Sequence, residues 1–174
     1  KLAGILDQMF VGRQLPAKTK FAVSGCSNSC VKPQENDIGI KGVVKTAISK
    51  TACVSCGACV KKCPAKALSL NGRDVTVDHE KCLGCGWCIK ACPRKAIIAS
   101  EAGCKIYIGG KIGRFPQLGQ VLADMVNEKD VPGYIEVILA TYQELANNGE
   151  RIAQVVNRVG FDKFKETFES KIPE

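Results

Sequence analysis

The sequence has no hydrophobic run long enough to cross a membrane, and no stretch with the charged, apolar and small-residue order of a secretory leader. A cytoplasmic location is expected on another ground, because clustered thiolates favour a reducing interior. It also lacks any stripe of basic residues interleaved with aromatics, although its formal charge is +8. That absence argues against nucleic acid as a partner. Much of the positive excess instead gathers in residues 61–95, in Lys61, Lys62, Lys66, Arg73, Lys81, Lys90, Arg94 and Lys95. An even cysteine count is missing too: there are 11, too clumped for a secreted disulfide scaffold. At 174 residues the chain has room for one domain or two small ones. It opens on Lys1, followed by an amphipathic segment, and the N-terminus is expected to have been cut away from a longer chain.

Eight of the cysteines fall into two runs, Cys53, Cys56, Cys59, Cys63-Pro64 and Cys82, Cys85, Cys88, Cys92-Pro93. Each reads C-x2-C-x2-C-x3-C-P, the spacing by which one loop wraps a [4Fe-4S] cube and lends its fourth thiolate to a neighbouring cube. One cube is expected on Cys53, Cys56, Cys59 and Cys92, and the other on Cys82, Cys85, Cys88 and Cys63. Structural zinc pairs two short spacings across a long gap, which is a different pattern. The runs are also a repeat. Every ligand recurs 29 residues later, as do Gly57 with Gly86, Val60 with Ile89, Lys61 with Lys90, Lys66 with Lys95 and Ala67 with Ala96. Two halves related by approximate symmetry follow. Between them, residues 67–70 and 75–77 flank Asn71-Gly72 and predict a hairpin. Short helices are expected over 60–62 and 89–91, ended by Pro64 and Pro93. The module so predicted is two-cluster ferredoxin-like and spans 46–100.

The flanks read differently. Short strands are predicted over 20–23, 37–40 and 105–108, the last opened by Cys104 in a structural role. Helical periodicity is read in Leu118, Val121, Leu122 and Met125, then in Ile135, Ile138, Leu139, Tyr142 and Leu145. Gly149 and Gly160 sit where helices end, and Phe161, Phe164 and Phe168 form the core face of a last helix. Neither flank alone looks able to bury a core. The fold class is therefore α+β, with domain parts 1–45 and 101–174 interrupted by 46–100. His79 and Trp87 lie beside the second run. His79 suits a solvated turn or a pH-sensitive neighbour of a cluster, and Trp87 suits packing or shielding of one.

A quieter constellation precedes the runs: Ser24-Gly25-Cys26-Ser27-Asn28-Ser29-Cys30, then Asn36-Asp37-Ile38-Gly39. Taken alone, C-x3-C fits a pair of buried thiols as well as it fits ligands. Together with Gly109-Gly110-Lys111-x-Gly113-Arg114-x-Pro116, it resembles the siroheme-binding signature of sulfite and nitrite reductases. An inserted ferredoxin module between the two resembles the dissimilatory and anaerobic sulfite reductases. That resemblance implies a siroheme coupled to a third [4Fe-4S] cube. Cys26 would be a cluster ligand, Cys30 both a cluster ligand and the axial siroheme ligand, and Asn28 a hydrogen-bond donor beside them. Siroheme carries many carboxylates, so Lys111 and Arg114 are the leading candidates to clamp them, with Lys18, Lys20 and Lys32 behind. The family's upstream C-x5-C pair is absent from this sequence. The chain is accordingly expected to be the C-terminal part of a reductase, inactive alone and holding two cubes without a stable siroheme centre. The implied function is six-electron reduction of sulfite to sulfide, fed through the two cubes by an electron-donor protein or subunit. Nitrite is the alternative substrate, and the rivals from other classes are a ferredoxin-type carrier without siroheme and a zinc scaffold.

Overall fold

The computed structural model describes residues 1–172. In chain order the elements are α1 (Leu2–Phe10), β1 (Phe21–Ser24), a 3-10 turn (Pro33–Glu35), β2 (Ile38–Ile48), α2 (Ala58–Lys62), β3 (Leu68–Asn71), β4 (Asp74–Val77) and α3 (Trp87–Ala91). They continue with β5 (Ile97–Ile108), β6 (Gln120–Val126), α4 (Val131–Leu145), α5 (Ile152–Val159) and α6 (Phe161–Glu169). A four-stranded sheet runs in the order β1-β2-β5-β6, and β3 with β4 forms a separate ribbon. The chain divides into two compact units. One holds Lys1–Gly25, Ser29–Lys41 and the chain from Cys104 onward; the other holds Cys26–Asn28 and Gly42–Gly103.

The first unit is a mixed α/β layer. β1 lies parallel to the start of β2, with Phe21 opposite Ile38 and Val23 opposite Ile40, and β5 lies antiparallel to β6. Ile38, Ile40, Ile106 and Ile108 are fully buried at two-residue intervals, as one face of a pleated strand requires. Against them pack Ile135, Ile138, Leu139 and Tyr142 of α4, Ile152, Val155 and Val156 of α5, and Phe164 and Phe168 of α6. Their spacing is helical, so one stripe of each helix faces the core. Leu2, Leu6 and Phe10 of α1 join the same cluster.

Leu118, Val121, Leu122 and Met125 do not form the predicted helix. Residues 120–126 are β6, and Leu118 stands 66% exposed ahead of it. The buried pair is Leu122 and Val126, four apart. In an unbroken strand four residues is two full alternations, but the register against β5 slips between Cys104 and Tyr107, and Met125 takes a left-handed φ of 56°. An irregular strand of this kind mimics helical spacing over one turn, and cross-strand pairing decides the outcome. Cys104 also differs from expectation: it lies inside β5, which begins at Ile97.

The second unit is smaller. The β3-β4 ribbon turns at Asn71, Gly72, Arg73 and Asp74, with Leu68 opposite Val77 and Leu70 opposite Val75. Gly72 holds φ 61° there, as a tight hairpin turn demands. Cys59, Leu68 and Ile97 form its buried centre, with Ile48, Val60, Val75 and Ile89 packed around them.

Candidate functional site

The 29-residue repeat is visible in backbone detail. Gly57 and Gly86 cap α2 and α3 with φ of 70° and 68°, and Lys66 and Lys95 follow the two prolines with φ of 50° and 51°. Each helix starts two residues earlier than expected, at the middle of its cysteine run, and ends just before the fourth cysteine. The loop of the second run packs on β2. A Cβ at Gly84 would stand 3.0 Å from Val43, one at Gly86 would stand 3.2 Å from Val44, and the Val44 amide donates to the Gly84 carbonyl at 2.9 Å.

Two small cavities lie in this unit, and their linings cross between the runs. One is bordered by Cys53, Cys56, Cys59 and Cys92; the other by Cys82, Cys85, Cys88 and Cys63. Each thus draws three thiols from one run and the fourth from the other. None of the eight is in a disulfide. Among the described residues no three His, Cys, Asp or Glu side chains converge on a single ion position. Four thiols standing apart around a small cavity suit the four corner irons of a cube, each of which needs its own sulfur.

The fourth cysteines share a feature. The Ala67 amide lies 3.3 Å from Cys63 Sγ, and the Ala96 amide 3.2 Å from Cys92 Sγ. Burial by itself would raise the Cys92 thiol, but amides of Ala96, Ile97, Arg94 and Lys95 outweigh it and hold the thiol below its ordinary value. Cys59 and Cys88 move the other way: burial pushes both thiols up, against smaller help from the Val60 and Ile89 amides. Amides aimed at sulfur stabilise negative charge there, which is one of the levers on cluster potential.

Cys26, Asn28 and Cys30 lie in the turn that follows β1. Cys26, Asn28 and Cys30 are all exposed. Ser29 and Lys32 adopt left-handed φ of 53° and 48°, and the Lys32 amide closes back on the Ser29 carbonyl at 2.7 Å. Lys111 and Arg114 sit on the loop between β5 and β6. Lys111 and Gln117 exchange two backbone hydrogen bonds at 2.9 Å, and Arg114 is exposed at the tip. Gly110 is pressed against the 3-10 turn: a Cβ there would stand 2.3 Å from the Gln34 carbonyl oxygen. The close approach that glycine permits is therefore, at this position, an approach to the chain's own backbone. Cys104 belongs to the main core, 7% exposed, with its thiol raised by burial and then by Glu128. His79 is exposed in a turn, and Trp87 opens α3 at 46% exposure while bordering the second cavity.

Two features lie outside the reading of the motifs. Asp37 is fully buried and accepts from the Arg151 guanidinium, with Nε at 3.2 Å and Nη2 at 2.5 Å, and from the Lys20 amide at 2.9 Å. Its partner is 114 residues away. The second feature is a break in the repeat. Arg94 borders the first cavity, whereas Ala65, its counterpart, borders the second; Ala58 borders the first where Trp87 borders the second. Comparing the runs at the 29-residue offset would have found it.

The model of the nitrite and sulphite reductase 4Fe-4S domain matches residues 2–174. The chain is 41% identical over 168 residues to a coenzyme F420-dependent sulfite reductase of Methanocaldococcus jannaschii, covering 95% of this chain and 27% of that protein. It is 32% identical over 179 residues to the beta subunit of a dissimilatory-type sulfite reductase of Archaeoglobus fulgidus, covering 92% and 48%. In the crystal structure of dissimilatory sulfite reductase I, 48% of a chain superposes on 99% of this one with a TM-score of 0.71 and 25% identity. The chain thus spans from about a quarter to about half of the length of these relatives.

Proposed function

Because the chain belongs to the nitrite and sulphite reductase 4Fe-4S domain family, we propose that it carries the electron-supplying module and part of the siroheme site of a sulfite reductase. Residues 46–100 serve as an inserted ferredoxin-like module, with 1–45 and 101–174 as the two parts of the reductase domain. The observation that carries the reading is the crossed lining of the two cavities, three thiols from one run and one from the other at each. A two-cluster ferredoxin needs that exchange. The sulfite reductases among the relatives support sulfite as the substrate.

In this reading Cys53, Cys56, Cys59 and Cys92 hold one cube, and Cys82, Cys85, Cys88 and Cys63 the other. Amides of Ala67 and Ala96 donate to the exchanged sulfurs, and the amides around Cys92 favour its ionised form. Cys26 and Cys30 offer exposed thiols to a third cube, with Cys30 shared with siroheme and Asn28 beside them. Lys111 and Arg114 supply positive charge for its carboxylates. Siroheme, when bound, supplies the centre at which sulfite takes up six electrons on the way to sulfide. The protein's part is to hold the thiolates, set their spacing and tune their charge. Thiolate ligation of this density suits a reducing, cytoplasmic setting.

The test uses the full protein that carries this segment, purified anaerobically. Iron, acid-labile sulfide and EPR are measured for the native protein and for Cys56→Ser, Cys85→Ser and Cys30→Ser. The first two variants are expected each to lose the EPR signal of one module cube. Cys30→Ser is expected to keep both while losing siroheme from the acid-acetone extract and sulfide production from sulfite. A colourless protein with stoichiometric zinc, or full sulfide production by Cys30→Ser, would overturn the proposal. Assays with sulfite and nitrite side by side rank the two substrates by kcat/KM.

A further inference from the structure

The two cavities are built from one repeat, yet they differ in what surrounds them. The loop of the second lies on Val43 and Val44, and Trp87, itself 46% exposed, stands at its edge. The first has Ala58 in place of that tryptophan. Of the eight cysteines in the runs, Cys56 alone is exposed, whereas Val54 and its counterpart Leu83 are both exposed, at 58% and 48%. The charges differ too. The approach to the second run is Asp78-His79-Glu80-Lys81, in which Asp78 pairs with Lys81 at 2.8 Å. The matched approach to the first is Ser49-Lys50-Thr51-Ala52, with both acids replaced by hydroxyl residues. Arg94 borders the first cavity where Ala65 borders the second. The Arg73 carbonyl accepts the Ser55 hydroxyl at 2.7 Å, so a second arginine is tied to the same loop. Lys50, 84% exposed, lies 3.5 Å from Asp74.

We infer that the Cys53–Gly57 loop, with Arg94 at its cavity and Arg73 and Lys50 nearby in the chain fold, is the docking face for an acidic one-electron carrier protein, which delivers its electron at the first cavity. This rests on the reading of the eight cysteines as ligands of two cubes. The exposed thiol and small flanking residues allow a donor's redox centre to come close, the exposed Val54 supplies an apolar contact, and Arg94 at the cavity supplies positive charge. Opposite charge steers such an encounter and sets its orientation. One electron leaves the reduced carrier, which is oxidised by one, and the cube at the first cavity is reduced by one; no bond or proton moves.

The test measures binding rather than turnover. The cluster-loaded protein is titrated with an oxidised acidic plant-type [2Fe-2S] ferredoxin at rising ionic strength, by calorimetry. The variants are Arg94→Glu, Arg73→Glu and, at the second run, Lys81→Glu. Affinity is expected to fall at least tenfold on going from low to physiological salt. Arg94→Glu and Arg73→Glu are expected each to weaken it by about tenfold at low salt, and Lys81→Glu by less than twofold. Iron and EPR on every sample report the cubes separately, so a failure of the ligand assignment is distinguished from a failure of docking. The inference is overturned if both arginine variants bind like the native protein, if Lys81→Glu is as damaging as they are, or if binding ignores salt. It is also overturned if sedimentation shows that the loop is covered by a second copy of the chain, released by Arg94→Glu.

Discussion

Cys92 and Cys59 border the same cavity but differ in what their sulfurs meet. Four amides draw the Cys92 thiol down, while burial drives Cys59 up, and Cys88 with it. The thiolate is the reacting form. In cluster-free protein under reducing conditions, brief iodoacetamide treatment near neutral pH is expected to modify Cys92 well before Cys59 and Cys88, as read by peptide mass spectrometry. Glu150 offers a second residue-scale expectation. The Arg158 guanidinium, with the Asn147 amide behind it, holds its carboxyl at about 2. A carboxylate depressed in the folded state contributes stability that is complete above its ordinary pKa and is lost as pH falls through the folded value. Urea unfolding measured between about pH 5 and pH 2 should therefore show a steeper loss for the native chain than for Glu150→Gln.

At the scale of elements, Asp37 and Arg151 join the start of β2 to the start of α5, and the Lys20 amide ties in the residue preceding β1. Removing the arginine leaves a fully buried carboxylate short of its charge partner. Arg151→Ala is expected to cost about 3–5 kcal/mol in urea unfolding, the range for breaking a buried pair. Replacing both residues with apolar ones should cost less, because no charge is then stranded. The loop between β5 and β6 is pinned in another way. Gly110 lies so close to Gln34 and Asn36 that any side chain must displace backbone. Gly110→Ala is expected to destabilise by about 1–3 kcal/mol, the usual cost of overpacking. Phe164, fully buried among the helices, should cost about 3–5 kcal/mol when cut to alanine.

For the whole molecule, charge and cofactor content are coupled. The formal +8 counts every cysteine as neutral. Two oxidised cubes with four thiolates each would lower the net charge by about 4. Cluster-loaded protein is expected to migrate in native electrophoresis as the less basic species, and chelation of its iron should return the mobility to that of the apoprotein. Unchanged mobility on loading would contradict thiolate ligation of both cubes. No helix among the described residues is long and apolar enough to cross a membrane.

What the sequence determined alone follows from local physics. Cysteine spacing sets which sulfurs a single loop can present, so the two runs, their proline stops and the Asn71-Gly72 hairpin were legible without coordinates. The 3.6-residue stripe of α4 and the phenylalanine face of α6 were legible for the same reason: one buried face imposes one period. Residues 118–125 were not, because a bulged strand and a helix turn share their spacing, and only pairing with β5 separates them. Tertiary structure also decided that Asp37 meets Arg151 and that Gly110 serves backbone packing. It put Arg94 of the second run at the first cavity and Ala65 of the first run at the second. Each of these depends on contacts between residues distant in the chain, and sequence spacing carries no record of which distant side chain fills a buried valence.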